Sequence, residues 1–173
     1  MSRAKIREAK AISTPMVHGQ KFSTYGSNTT HDVQLYRSIV GALQCATITR
    51  PEITYNVNKV CQFMQNPLEA HWKAVKCIMR YLVGTLDYGL HLRKSNNLNL
   101  VGFCDVNWAL DLDDQRSTSS FCIYLGFNLI SWHSKKQHTV SRSNTKVEYK
   151  SWANFTVEIT WLQSLLGELQ VRL

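Results

Sequence analysis

VEYKSWANFTVEITWLQSLLGEL, Val147 to Leu169, is the clearest periodic stretch of the chain and decides how its second half is built. Val147, Trp152, Phe155, Ile159, Leu162, Leu166 and Leu169 recur at spacings of three to five, which predicts a helix with one apolar stripe laid on a sheet. The sheet is supplied upstream. Tyr88–Leu92, Leu98–Cys104, Ser119–Leu125 and Leu129–Ser134 are short β-prone runs. Arg93-Lys94-Ser95-Asn96-Asn97 and Gly126-Phe127-Asn128 separate runs with turn chemistry, so the reading is antiparallel hairpins in series.

Ahead of the strands the period is helical. Leu35, Ile39 and Leu43, with Tyr36 and Val40 beside them, predict a helix over residues 33–48. Thr49-Arg50-Pro51-Glu52 has capping-box spacing and a proline near the first turn, and Ile53, Val57, Val60 and Met64 follow as a stripe ended by Asn66-Pro67. A third helix, with Trp72, Val75, Ile78, Met79 and Leu82 inward, runs from about Glu69 to Gly84. Three such helices on short links form a small bundle. The fold class expected is therefore α+β: an irregular lead-in over 1–30, a helical bundle over 31–87, and strands plus one long helix over 88–173.

The 173 residues carry 44% hydrophobic and 18% charged side chains, a globular balance that excludes a wholly disordered chain. No apolar run is long enough for a transmembrane helix, and the basic start MSRAKIREAK lacks the apolar core of a secretory signal. Five widely spaced cysteines with no CxxC pair argue for buried thiols in a reducing, intracellular compartment, cytoplasmic or nuclear. The net charge of +8 is uneven: residues 1–92 hold 11 basic and 5 acidic side chains, residues 93–173 hold 9 and 7. Lys59, Lys73, Lys76 and Arg80 lie off the apolar stripes of their helices, and Lys135, Lys136 and Arg142 cluster later. They are the candidates for phosphate contacts, against the alternative of a solvated face.

Stepping back four residues from Trp152 lands on Glu148, which the stripe would aim at the sheet. Asp105 follows the run Leu98–Cys104 and is expected at a strand's carboxyl end. Each has an ordinary reading, a glutamate favoured by the helix dipole and a turn-forming aspartate. As a pair, where a strand ends and a helix begins, they could hold Mg²⁺, which prefers oxygen ligands. No zinc spacing surrounds His133 or His138, no nucleophile elbow surrounds the serines, and no Gly-rich phosphate loop is present.

Several ordered motifs resemble one family. Tyr36-Arg37-Ser38-Ile39-Val40-Gly41-Ala42-Leu43, Thr49-Arg50-Pro51-Glu52-Ile53 and Gln62-Phe63-Met64-Gln65-Asn66-Pro67 resemble the end of the reverse transcriptase in Pol polyproteins of copia-type LTR retrotransposons. Gly102-Phe103-Cys104-Asp105-Val106-Asn107-Trp108-Ala109, Ser131-Trp132-His133-Ser134-Lys135-Lys136-Gln137 and Glu148-Tyr149 are similar to the opening of that polyprotein's ribonuclease H domain. The resemblance implies thumb or connection helices gripping an RNA–DNA hybrid or duplex, then a truncated RNase H-like fold, with the rest of the polyprotein as partner and no membrane.

It also implies a site of four acidic residues around two Mg²⁺ ions. Asp105 matches the first and Glu148 the second, and the third and fourth lie beyond this sequence. Asn107 stands where the family has Asp, Leu110 and Ser120 where it has Gly, and Lys146 where it has an acidic residue. The expectation is a truncated copy begun at a fortuitous methionine, binding one ion weakly at most and inactive in hybrid hydrolysis. The rivals are a non-enzymatic basic nucleic-acid-binding module and a non-functional transposon remnant.

Overall fold

The computed structural model describes residues 10–17, 19–26 and 28–171. Two compact units divide at Gly89/Leu90. The first is helical: α1 (Val33–Ala46), one 3-10 turn (Pro51–Ile53), α2 (Thr54–Cys61) and α3 (Glu69–Gly84). Asp32 caps α1 by accepting from the Leu35 amide at 2.8 Å. Tyr36 and Val40 are fully buried, and the Tyr36 hydroxyl donates to the Val60 carbonyl at 2.8 Å, which fastens α1 to α2. In α3 the imidazole of His71 is buried: its Nδ1 accepts from the Leu68 amide and its ring stacks on Phe63 with centroids 3.8 Å apart.

The Thr49–Glu52 spacing does not form a capping box. The Thr49 hydroxyl donates back to the Ala46 carbonyl, and Glu52 pairs with Arg50 instead. Arg50 is the centre of this corner. It is 7% exposed, donates to the Thr85 carbonyl at 2.9 Å and the Thr85 hydroxyl at 2.6 Å, and lies 5.9 Å from the ring centroids of both Tyr81 and Tyr88. A buried guanidinium is stable only when its planar fork is matched by acceptors, and this one is.

The described residues between 10 and 30 form no helix or strand, yet they are not loose. Met16 and Phe22 enter the helical core, and the Asn28 and Pro67 carbonyls accept the Glu69 and Thr30 amides. The first nine residues of the lead-in lie outside those described.

The second unit is a three-stranded antiparallel sheet, β1 (Leu100–Asn107), β2 (Thr118–Leu125) and β3 (Asn128–Lys136) in order β1-β2-β3, with α4 (Asn144–Glu168) packed on one face. Gly126 (φ +59°) opens the two-residue β2–β3 turn, a conformation that favours glycine. Tyr88–Leu92 is no strand. Asn128 takes part of that pairing, its side-chain oxygen and nitrogen meeting the Arg93 amide and carbonyl at 2.7 and 2.8 Å. Even-numbered β1 residues face α4: a Cβ on Gly102 would lie 2.3 Å from the Phe155 ring. The five cysteines are unpaired, and none is fully buried: Cys45 is exposed and the other four are half-buried.

Two substitutions test these contacts. Arg50→Met leaves Glu52 and Thr85 without their partner and is expected to cost about 3 kcal/mol. Amide hydrogen exchange in α3 should accelerate on the order of 100-fold; unchanged protection would contradict the clamp. Gly102→Ala should cost roughly 1–3 kcal/mol by overpacking against Phe155. Phe155→Leu in the same chain should return part of that loss in thermal unfolding.

Candidate metal and nucleic-acid site

β1 continues to Asn107, so Asp105 lies inside the strand rather than at its end. It is exposed and sits opposite Ser120, whose hydroxyl donates to Ser134 at 3.0 Å. Because Cys104 packs toward α4, strand alternation places Asp105 on the other face of the sheet.

The α4 register also differs from the one read in the sequence. Its buried stripe is Val147, Ser151, Phe155, Leu162 and Leu166, whereas Trp152 is 61% exposed. Glu148 is therefore one residue past the stripe and exposed, accepting from Asn144 Nδ2 at 2.7 Å. Turning 100° per residue, it shares the flank of α4 that carries Ile159, the residue beside Gly102 of β1.

The end of β1 and the start of α4 do meet. The Trp108 indole N–H donates to the Ser141 carbonyl at 3.3 Å, two residues before the α4 N-cap, Ser143. Asp105 and Glu148 thus share one end of the unit but not one face of the sheet. Among the described residues no three of His, Cys, Asp and Glu converge on a metal position.

The candidate cations divide into two groups. Lys59 donates to the Gln20 carbonyl and lies over Phe22 and Tyr55; Arg80 donates to the Lys10 carbonyl at 2.7 Å. Both hold the lead-in to the helices. Lys136 is also committed, bridging Asp111 at 2.6 Å and Asp114 at 2.9 Å. These three are structural ties rather than a free phosphate-binding set. Lys73, Lys135 and Arg142 are exposed, and Lys76 lies half-buried over Trp72.

Lys135 lines a groove of about 610 Å³ between β3 and α4, together with Trp132, His133, His138, Lys150 and Glu158. Partial burial, then the Lys135 charge, lowers the His133 pKa against the pull of Glu158. Lys150 anchors Thr139 and Ser141 at 2.6 and 3.2 Å, and the fold brings its helix beside Lys135 at this groove.

The chain belongs to the Pol polyprotein family of copia-type retrotransposons. It is 46% identical over all 173 residues to the retrovirus-related Pol polyprotein from transposon RE1 of Arabidopsis thaliana, of which it spans 12%. Its identity to the corresponding polyprotein from transposon TNT 1-94 of Nicotiana tabacum is 35%, over 98% of this chain and 13% of that protein. An uncharacterized mitochondrial protein of Arabidopsis thaliana is 43% identical over 93% of this chain and 67% of its own length. No family model and no solved structure matches the chain. No helix among the described residues is long and apolar enough to cross a membrane.

The Lys136 bridge has a pH signature. Burial alone would raise the Asp111 carboxyl, but Lys136 and the amides of Asp114 and Asp113 outweigh it and hold the pKa below its usual value. A depressed carboxyl stabilises the fold fully above the unfolded pKa of about 3.9 and loses that contribution as pH falls through the folded value. Lys136→Met should shift the loss to higher pH, read as a raised Asp111 midpoint in a carboxyl NMR titration. An unmoved midpoint would show that the amides alone set it.

Proposed function

We propose that the chain is the junction of reverse transcriptase and RNase H in a copia-type Pol polyprotein: thumb or connection helices, then the first part of an RNase H-like domain. The order β1-β2-β3-α4, with Asp105 near the end of β1 and Glu148 in the first turns of α4, carries this reading. The alignment with Pol polyproteins across the whole chain supports it. Both side chains offer hard, exposed oxygens at one end of the unit, the donor type Mg²⁺ prefers, and a shared ion would have to sit past the edge of β1, because the two stand on different faces of the sheet. Magnesium bound there would supply Lewis-acid activation of water for hydrolysis of RNA in a hybrid. Asp105 and Glu148 would hold it, with Lys135 and Arg142 of the same unit, and separately Lys73 and Lys76 of the helical unit, attracting phosphates.

Two cations roughly 4 Å apart carry four positive charges, and two carboxylates neutralise half of them. The reading for the 173-residue chain is accordingly a nucleic-acid-binding module without hydrolysis. Extending it by the residues that follow in the RE1 polyprotein should produce metal-dependent release of labelled RNA from a hybrid, lost on Asp105→Asn. Cleavage by the 173-residue chain itself, abolished by Glu148→Gln, would show that two carboxylates suffice.

Hybrid binding should weaken steeply with salt, and Lys73→Ala with Lys76→Ala should reduce the slope of log K against log salt by about 2. Arg80→Ala should affect folding more than slope. A salt-independent affinity would remove the phosphate-binding reading.

A further inference from the structure

The side of α4 turned away from the sheet is apolar. Tyr149, Val157 and Trp161 are 73%, 70% and 57% exposed, and with Ala153 they form an i, i+4 ladder. A shallow groove of about 560 Å³ runs along it over Ala153, Thr156, Thr160 and Ser164. The hydroxyls of Thr156, Thr160 and Ser164 donate to the carbonyls four residues earlier, at 2.9, 2.9 and 3.1 Å. Covering this face would therefore strand none of those donors.

Size and charge along the ladder are complementary about Val157. Lys146 and Glu168 stand eleven residues to either side, Tyr149 and Leu165 eight, and Ala153 and Trp161 four. Among the described residues neither Lys146 nor Glu168 has an ion-pair partner within the chain. We propose that this face is a two-fold interface on which a second copy of the chain packs, α4 against α4 and antiparallel. Each Trp161 lies over the other copy's Ala153, Tyr149 meets Leu165, and Lys146 faces Glu168 at both ends. A parallel copy would instead set Lys146 on Lys146 and Trp161 on Trp161. An isologous antiparallel pairing satisfies every position twice.

Sedimentation equilibrium of the 173-residue chain tests this, with helix content followed by circular dichroism. The expected result is a dimer whose Kd rises at least ~100-fold on Trp161→Glu with helix content unchanged, as loss of a central aromatic anchor implies. Lys146→Glu and Glu168→Lys should each raise Kd roughly fivefold, and the double variant should restore it. A monomer at roughly 100 μM overturns the proposal. So does a dimer indifferent to Trp161→Glu. So does a monomer whose α4 face gains exchange protection only when the following residues of the RE1 polyprotein are attached.

Discussion

The ring of Phe155 can lie against β1 only because residue 102 has no side chain, and the second unit is arranged around that contact. It brings α4 down on the sheet with Val147 and Ser151 inward at the helix start. The Trp108–Ser141 hydrogen bond then joins the far end of β1 to the loop that caps the helix. Those two constraints leave Asp105 and Glu148 exposed at one end. The same seating of the helix turns Tyr149, Val157 and Trp161 outward.

Charge count and charge availability differ in this molecule. Arg50, Lys59, Arg80 and Lys136 are all basic residues placed on or near helices and strands, and each is held by carbonyls, rings or carboxylates of its own unit. Lys73, Lys135 and Arg142 keep their heads in solvent. The excess of the first 92 residues therefore overstates the surface open to a polyanion. Part of it instead fixes the described residues of the lead-in, which have no ladder of their own.

Periodicity made α3 and the β2–β3 hairpin legible, since Gly84 and Gly126 mark their ends and the apolar spacing is regular. The beginning of α4 was misread because the step of five from Val147 to Trp152 turns about 140° round the helix, off the buried side that steps of four carry through Ser151 to Phe155. Trp152 fell within the spaced apolar series, yet Val147 and the small Ser151 fill the buried position. Met16 and Phe22 gave no sign of their burial, because a segment without period hides which side chains turn inward. The carboxylate pair was found by residue type and motif, while its real setting, on two faces of one end, needed the strand alternation.

The proposed metal role rests on Asp105 and Glu148, on different faces of the sheet, both reaching one cation past the edge of β1. Paramagnetic broadening by Mn²⁺, read in the amide spectrum of the whole chain, tests this most directly. The expected result is that the Asp105 and Glu148 signals broaden together at the same Mn²⁺ level, and that Asp105→Asn protects both. Broadening confined to the Asp111–Asp114 loop, or persisting at Glu148 after Asp105→Asn, would contradict it.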